Sequence, residues 1–362
     1  MKKICTVVGA RPQFIKLAVV SRVLRNEFQE VLIHTGQHYD YNMSDVFFEE
    51  MDIPHPDYNL GISGGTHGQM TGQMLIEIES VLLKEKPDML LVFGDTNSTL
   101  AAALAAVKLH IPVCHVEAGN RLGTYENPEE VNRIVTDHVS SLHLVCTASG
   151  VDYLKKEGFS DTVHLVGDPM YDAFRYYSDR LDGSELTEIK DFSGEPVTLP
   201  ETFYYMTCHR QENTDTDKKL DQILQAMEAL DAPVIYPVHP RNHVRAERLC
   251  RERGYRNTML TQPVGYKTSI SLVNHAKRIV TDSGGLQREA FFAEKPCVTV
   301  FDYVAWPETM VNDCNQLVKP DKEAILTKLA APVSFNPQYQ PFGDGHSAEK
   351  IVNHIRTFLN RA

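Results

Sequence analysis

Short runs of apolar, mostly β-branched residues alternate along the chain with longer segments of helical periodicity. The first run ends at a glycine and is followed by a helical pattern. Strands are predicted at 4–8, 30–34, 89–93, 112–116 and 163–166, with a helix at 14–24. Continuous apolar strands separated by helices are typical of a parallel sheet covered on both faces. The first half of the chain therefore predicts a doubly wound α/β unit.

The same pattern restarts after a polar stretch, 178–202, which we interpret as a linker. Further strands are predicted at 203–207, 234–237, 258–260, 278–281 and 297–300. The predicted fold class is thus α/β, with two Rossmann-like doubly wound domains facing a cleft. The domains are predicted at 1–170 and 171–347, and the last helix could return to either of them. In such sheets ligands bind beyond the carboxyl ends of the strands.

Composition and charge exclude several classes of protein. Lys and Arg number 36 against 48 Asp and Glu, a formal net charge of −12, which argues against a nucleic-acid partner. Seven scattered cysteines without close pairs favour free thiols in a reducing, cytoplasmic compartment. The longest apolar run, 100–107, is far short of the ~20 residues that span a membrane. Without tight His or Cys ligand spacing, no metal is predicted.

Two strand ends carry features of an anion site. The first strand is followed by Arg11 and Pro12, with Lys16 further along the same helix. A helix N-terminus and a guanidinium both suit phosphate oxygens, although an ordinary strand–helix turn with solvated side chains explains the pattern as well. Neither a G-x-G-x-x-G loop nor a P-loop is found, which argues against dinucleotide oxidoreductases and P-loop NTPases.

The second candidate is the turn Ser283-Gly284-Gly285. The Ser283 hydroxyl and the two glycine N–H groups would hold a phosphate, and Glu289 would accept hydrogen bonds from ribose hydroxyls. The alternative is a plain serine N-cap followed by a glycine turn.

Acidic residues and histidines follow the remaining strands. Asp95, Glu117, Glu130, His209 and His239 each have a structural explanation, such as an N-cap, a helix-dipole partner or a core histidine. Together they favour acid–base chemistry on a phosphorylated sugar or nucleotide, because carboxyl groups crowded in one cleft acquire shifted pKa values. Gln37 and His38 follow the second strand and either face the cleft or form a plain loop.

These motifs resemble the non-hydrolysing UDP-N-acetylglucosamine 2-epimerases. The motifs that carry the resemblance are Gly9-Ala10-Arg11-Pro12, Gly36-Gln37-His38, Gly94-Asp95-Thr96, His115-Val116-Glu117-Ala118-Gly119, Pro128-Glu129-Glu130-Val131-Asn132-Arg133, His209-Arg210-Gln211-Glu212-Asn213, Thr281-Asp282-Ser283-Gly284-Gly285 and Phe342-Gly343-Asp344-Gly345. The resemblance implies a glycosyltransferase-B-like fold, a homodimer, and a C-terminal helix at about 348–362 that packs back on the first domain.

The resemblance also implies a reaction. A UDP-sugar loses UDP and its C2 proton, and UDP adds back after protonation on the opposite face, so no cofactor is needed. Asp95, Glu117 and Glu130 are similar to the family's acid–base carboxylates, and His209 to its catalytic histidine. The substrate-binding positions implied are Arg11, Lys16, Gln37, His38, Arg133, His239, Tyr266, Ser283, Gly284, Gly285 and Glu289. The pathway implied is the synthesis of cell-surface polysaccharide.

Several positions depart from the family pattern. Phe301, Ala305 and Trp306 stand where many relatives have polar or charged residues, and Ser269 stands where an aromatic residue is common. The segments Gly9-Ala10-Arg11-Pro12-Gln13-Phe14-Ile15-Lys16 and Thr66-His67-Gly68-Gln69-Met70-Thr71-Gly72 resemble more closely the branch that epimerises UDP-2,3-diacetamido-2,3-dideoxyglucuronate. The sequence leaves that substrate open beside UDP-N-acetylglucosamine. A hydrolysing epimerase, a glycosyltransferase of the same fold and a non-catalytic nucleotide-sugar sensor also remain alternatives.

Overall fold

The computed structural model describes residues 1–37 and 47–361. The chain forms two compact units. The first comprises Met1–Arg175 together with Gln340–Ala362, and the second comprises Tyr176–Tyr339. Each unit is built on one parallel sheet with helices, so the predicted α/β class with two doubly wound domains is confirmed.

The sheet of the first unit has the order β3-β2-β1-β4-β5-β6-β7. Its strands are β1 (Lys3–Val8), β2 (Gln29–His34), β3 (Tyr58–Asn59), β4 (Met89–Phe93), β5 (Val113–Val116), β6 (Leu142–Val145) and β7 (Val163–Leu165). All neighbouring strands are parallel. Their carboxyl ends therefore meet at one edge, and the order reverses at β1, where ligands bind in sheets of this kind.

Helices follow most of these strands. They are α1 (Arg11–Leu24), α2 (His67–Glu85), α3 (Asn97–Lys108), α4 (Pro128–Val139), α5 (Ala148–Lys156) and α6 (Pro169–Ser178). Helix α1 begins at Arg11, earlier than predicted, because Pro12 fits the first turn of a helix. The alanines of α3 are buried against the sheet and α2, and their small side chains allow close packing.

The second unit repeats this plan. Its strands are β8 (Tyr204–Thr207), β9 (Val234–Pro237), β10 (Thr258–Thr261), β11 (Ile279–Thr281), β12 (Cys297–Val300) and β13 (Asn315–Val318), in the parallel order β10-β9-β8-β11-β12-β13. Its helices are α7 (Gln211–Thr214), α8 (Asp217–Glu228), α9 (His243–Arg253), α10 (Tyr266–His275), α11 (Gly284–Phe292) and α12 (Lys322–Ala330). Short 3-10 helices occupy Ser184–Glu188, Pro240–Asn242 and Pro307–Asp313.

The C-terminal helix α13 (Ser347–Arg361) packs against α1 in the first unit. The first unit extends to Arg175 and includes 340–347, whereas the predicted domain boundaries were 170 and 347. Two hydrogen bonds join these segments. The Arg175 guanidinium donates to the Asp344 carbonyl over 2.6 Å, and the Asp168 N–H donates to the Phe342 carbonyl over 2.9 Å.

The stretch 178–202 was predicted to be a linker, and this interpretation is wrong. Ile189 is buried, and the Gln262 N–H donates to the Lys190 carbonyl over 2.8 Å. The 3-10 helix within this stretch also packs against α10. The segment therefore belongs to the second unit. Its polar composition is typical of a linker, and no sequence pattern indicates the burial of Ile189 or the backbone hydrogen bond of Lys190.

Strands β3, β6 and β13 were missed. Strand β6 reads Leu-His-Leu-Val and contains the fully buried His143, whose ring nitrogens bond Thr162 and the Asp137 carbonyl. Strand β13 begins with Asn315 and Gln316, which are also buried and hydrogen-bonded. Satisfied polar side chains are stable in a core, but they interrupt the apolar run that predicts a strand. Among the described helices, none has the length and apolarity needed to cross a membrane.

Candidate active site

The turn between β1 and α1 is fixed by the side chain of Gln13. Its carbonyl oxygen accepts hydrogen bonds from the N–H groups of Gly9 and Ala10 over 2.7 and 3.0 Å. Its amide nitrogen donates to the Phe93 carbonyl at the end of β4 over 2.8 Å. Glutamine joins two strand ends because it offers an acceptor to one and a donor to the other. None of these contacts was predicted from the sequence.

Lys16 and Glu117 form a buried ion pair at this edge of the sheet. The Lys16 Nζ lies 2.5 Å from Glu117 Oε2, and the two side chains are 2% and 8% exposed. Glu117 follows β5 with a backbone φ of +70°. This left-handed conformation is uncommon for a residue other than glycine and is often found at functional sites. Lys16, predicted to contact phosphate, thus has a carboxylate as a direct neighbour.

Arg133 joins two of the three predicted catalytic acids. One of its terminal nitrogens donates to Glu130 and the other to Asp95. Burial would lower the pKa of this guanidinium, but the charges of Asp95 and Glu130 raise it overall. Glu130 also accepts hydrogen bonds from the N–H groups of Leu122 and Gly123 over 2.8 and 3.0 Å. Helix α4 thereby holds Glu130 and Arg133 on one buried face.

The ion pair of Lys16 and Glu117 lies close to the chain segment that carries Asp95, which belongs to the second ion-paired group. A Cβ placed on Gly94, the residue before Asp95, would lie 3.4 Å from Lys16 Nζ and 3.5 Å from Glu117 Oε1. The first unit therefore brings together Lys16, Asp95, Glu117, Glu130 and Arg133. Three carboxylates beside two cations can exchange protons while the total charge of the cluster remains small.

The other predicted residues of the first unit are placed as follows. The Arg11 guanidinium lies over the Phe47 ring, 4.4 Å from its centre. The Gln37 side-chain oxygen accepts hydrogen bonds from the Ser98 N–H and hydroxyl over 3.0 and 2.7 Å, which fixes its orientation. His38 lies outside the described residues.

In the second unit, Asp282 organises the segment that carries His209. The His209 Nδ1 lies 3.1 Å from the Asp282 carboxylate, which also accepts the N–H groups of His209 and Arg210 and the Asn213 amide. Burial would raise the pKa of Asp282, but His209 and these hydrogen bonds lower it below its usual range. The ionised carboxylate fixes one ring nitrogen of His209, whose side chain is 44% exposed. Asp282 lies in one of the family motifs, but no role was predicted for it.

Cationic and imidazole groups surround His209. The Arg241 guanidinium donates to the His209 carbonyl, and the His239 ring lies 6.5 Å from the His209 ring, centre to centre. Arg210 lies over the Phe301 ring at 4.1 Å. Phe301, one of the departures from the family pattern, thus makes a cation–π contact.

The turn after β11 begins helix α11. The Ser283 hydroxyl accepts a hydrogen bond from the Leu286 N–H over 3.4 Å, so the serine caps the helix. Such a cap is compatible with an anion site, because the first N–H groups of a helix, here those of Gly284 and Gly285, lack intrahelical acceptors. A Cβ on Gly284 would lie 3.8 Å from Trp306 Nε1, so the indole lies beside the turn.

Two further predicted residues of this unit are buried. Glu289 lies on α11, one and a half turns after Ser283. Tyr266 begins α10, and its ring contacts that of Tyr177 edge to face at 5.7 Å. Ser269, where relatives often have an aromatic residue, exchanges a hydrogen bond of 2.9 Å with the Tyr205 hydroxyl.

One group of side chains in the described part of the chain has metal-ligand spacing. The ligand atoms of Glu117, Cys146 and Asp168 lie within 4.8 Å of one another and are buried. The Lys16 ammonium, 2.5 Å from Glu117, already supplies a cation there. We therefore assign no metal to this cluster.

Comparisons with known proteins identify the family. Its sequence profile, described as UDP-N-acetylglucosamine 2-epimerase, matches residues 22–356. The chain belongs to the UDP-N-acetylglucosamine 2-epimerase family. The family predicted from the motifs is thereby confirmed.

Relatives match this chain along its full length. It is 46% identical to a UDP-N-acetylglucosamine 2-epimerase homolog of Methanococcus maripaludis, over 98% of this chain and 99% of that protein. It is 42% identical to the UDP-2,3-diacetamido-2,3-dideoxy-D-glucuronate 2-epimerase of Pseudomonas aeruginosa, with coverage of 98% and 99%. The crystal structure of Methanocaldococcus jannaschii UDP-GlcNAc 2-epimerase in complex with UDP-GlcNAc and UDP is similar with a TM-score of 0.87 and 37% identity, over 98% and 99% of the chains.

Proposed function

We propose that this protein is a non-hydrolysing epimerase that inverts C2 of UDP-N-acetylglucosamine or a close derivative. The observation that carries the proposal is the cluster of Asp95, Glu117 and Glu130 with Lys16 and Arg133 at the carboxyl edge of the first sheet. Membership of the 2-epimerase family supports the same reaction.

The reaction requires proton transfer at C2 and departure of UDP from C1. As the C2 proton leaves, the electrons of the C–H bond form a C1–C2 double bond, and the bond between C1 and the diphosphate oxygen breaks. Protonation of C2 from the other face and return of UDP to C1 complete the inversion. Electrons balance within the substrate, so no external oxidant is needed. Acid–base groups are needed on both faces of the sugar, and we assign them to Asp95, Glu117 and Glu130.

Stabilisation of the departing diphosphate is assigned to donors at strand–helix turns. We propose that Arg11, Ser283, Gly284 and Gly285 bind its oxygens, since guanidinium forks and helix N-termini suit phosphate. His209, oriented by Asp282, has an exposed ring that can donate to the leaving oxygen. Glu289 is assigned to the ribose hydroxyls. His239, Tyr266, Gln37 and His38 remain predicted substrate contacts.

The sugar has two candidates. UDP-N-acetylglucosamine is favoured by the family and by the names of several related proteins. UDP-2,3-diacetamido-2,3-dideoxyglucuronate is the second, because the Pseudomonas aeruginosa enzyme named for it is 42% identical along the full chain. Both substrates undergo the same chemistry at C2, and either product suits polysaccharide synthesis.

We further propose a cytoplasmic homodimer. Seven free, buried cysteines support a reducing compartment.

On α2, Ile76 and Leu83 are 56% and 55% exposed and lie two turns apart on one helix face. A second copy that covers this face would remove both side chains from water. Light scattering after gel filtration should give twice the mass of 40.9 kDa, and Ile76→Glu should reduce it to that of the monomer.

The catalytic assignment is tested with a pair of neighbouring variants. Glu130 is buried and bonded to Arg133, whereas Glu129 is exposed on the same turn. Glu130→Gln should lower kcat by at least about 100-fold, and Glu129→Gln should change it by less than about threefold. Turnover of both UDP-sugars is followed by proton and phosphorus NMR.

The products distinguish the alternatives. We expect an epimeric UDP-sugar with its diphosphate intact and no acceptor requirement. Free UDP with a free sugar would instead identify a hydrolysing epimerase, and turnover only with an acceptor would identify a glycosyltransferase. Equal activity of the Glu130 and Glu129 variants would reject the site.

A further inference from the structure

A single buried carboxylate, that of Asp137, joins the segments on either side of Glu117. Its Oδ1 lies 2.7 Å from His115 Nδ1, and its Oδ2 accepts the Gly119 N–H over 3.1 Å. The same Oδ2 lies 2.7 Å from a terminal nitrogen of Arg121. Asp137 and His115 are both fully buried, at 0% exposure. No residue of this group was predicted to act in the site.

The network extends to the other two predicted acids. The second ring nitrogen of His115 donates to the Gly94 carbonyl over 2.7 Å, and Gly94 directly precedes Asp95. Asp137 itself lies on α4, two turns after Glu130, on the buried face of that helix. One carboxylate therefore connects the three chain segments that carry Asp95, Glu117 and Glu130.

Glu117 needs such support because of its backbone. Its φ of +70° costs a residue other than glycine about 1–2 kcal/mol. His115 and Gly119, both bound to Asp137, lie two positions before it and two positions after it. Gly119 cannot be replaced easily, since its φ is +79° and a Cβ there would lie 2.5 Å from the Gly150 carbonyl oxygen. The strained residue is thus held from both sides.

Arg121 connects Asp137 to a second carboxylate. Arg121 also binds Glu157 with two hydrogen bonds of 2.7 Å. Burial would raise the pKa of Asp137, but His115 and Arg121 lower it to about 2. Asp137 is therefore ionised at neutral pH and accepts hydrogen bonds with both oxygens.

We propose that Asp137 is a positioning residue that, through His115 and Gly119, holds Glu117 and Asp95 in their reactive orientation. This inference rests on the proposed function, because it presumes that these two carboxylates transfer protons. Asp137 does not itself contact substrate in this account. Misplacement of a reacting group by about 1 Å can cost about 100-fold in rate.

Three variants separate positioning from stability. Asp137→Ala removes both connections. Asp137→Asn keeps both hydrogen bonds but removes the negative charge, because the side-chain amide can accept from Gly119 and donate to His115 Nδ1. The other ring nitrogen still donates to Gly94. The matched control is Glu30→Ala. Glu30 is a buried carboxylate bound by Thr6 and Arg25, both at 2.7 Å.

The control lies away from the site. In the sheet, Glu30 pairs with Ile4, and Ile4 pairs with Met89 at the start of β4. Glu30 therefore lies near the amino ends of the strands, roughly 13 Å from their carboxyl edge at about 3.3 Å per residue. We expect Asp137→Ala to lower kcat about 100-fold with KM changed by less than about threefold. Asp137→Asn should retain at least about a tenth of the wild-type kcat, and Glu30→Ala should lose stability but keep kcat.

Hydrogen–deuterium exchange provides a second measurement that needs no turnover. Amides of 115–119 should exchange faster in Asp137→Ala than in Glu30→Ala, and Asp137→Asn should remain close to wild type. Equal kcat losses in the two alanine variants, a parallel rise in KM, or unchanged exchange in 115–119 would overturn the proposal. If Asp137→Ala does not fold, a 100-fold loss in the folded Asp137→Asn with unchanged exchange would also overturn it. Failure of the proposed function is distinct, because the wild type would then epimerise neither sugar.

Discussion

The buried pair of Lys16 and Glu117 gives a prediction whose size follows from its geometry. Lys16→Met removes the ammonium that lies 2.5 Å from Glu117 and keeps much of the side-chain volume. Because both groups are almost fully buried, we expect a loss of about 3–5 kcal/mol in the free energy of unfolding, the usual result of removing one member of a buried pair.

The expected loss in the free energy of unfolding can be compared with the attraction between the two charges and with their loss of hydration. At an effective dielectric constant of about 20, two charges 2.5 Å apart attract by about 7 kcal/mol. The loss of hydration costs several kcal/mol for each ion, so most of that attraction is offset. The intact pair therefore adds little to the free energy of unfolding. Removal of one partner leaves the other charge buried and unpaired, which lowers that free energy. The double variant Lys16→Met with Glu117→Gln should therefore lose about 2 kcal/mol less than the sum of the two single variants.

Urea denaturation followed by far-ultraviolet circular dichroism measures these differences. The control is Lys3→Met, which breaks a more exposed pair with Glu85 at 2.9 Å. Its loss should be about 1 kcal/mol or less. Equal losses for Lys16→Met and Lys3→Met would contradict a large cost of an unpaired buried charge, as would additive effects in the double variant.

Three further predictions concern pH, thiols and fluorescence. Burial raises the pKa of Asp172, which accepts the Ala348 N–H over 2.7 Å. The free energy of unfolding of the wild type relative to Asp172→Asn should therefore fall as the pH rises from about 4 to 7 in urea titrations. A rise in this difference would contradict the prediction. Burial raises the pKa of Cys5 to about 12 and all seven cysteines are buried, so Ellman's reagent should react slowly with the native protein and titrate seven thiols in denaturant. Trp306 is the single tryptophan and lies beside Gly284; UDP should change its emission with saturation, and calorimetrically measured binding without any change would count against UDP at that turn.

The sequence predicted the sheets well because their central strands are continuous apolar runs. Strand β4 was predicted at its observed bounds, and β1 and β2 within one residue. Prediction failed where polar residues are satisfied by tertiary contacts, as His143 in β6 is. It failed again at 178–202, where polar composition was taken for a linker although Ile189 anchors the segment.

The candidate site residues stay predictions, and the contacts between them were not predictable. Motifs near strand ends made Asp95, Glu117, Glu130 and His209 candidates, since ligands bind where parallel strands end. Nothing in the sequence indicated that Arg133 would join Asp95 to Glu130, or that Asp282 would orient His209. Such partners depend on side-chain directions between distant elements, which periodicity does not encode.

Exchange of the C2 hydrogen with solvent shows whether inversion proceeds by removal of the C2 proton. The protein is incubated in deuterium oxide with UDP-N-acetylglucosamine, and in parallel with UDP-2,3-diacetamido-2,3-dideoxyglucuronate, and C2 is examined by NMR. We expect deuterium at C2 of both epimers of the true substrate, with UDP still attached. Inversion at C2 that retains the original hydrogen would contradict proton removal by the carboxylates of the first unit.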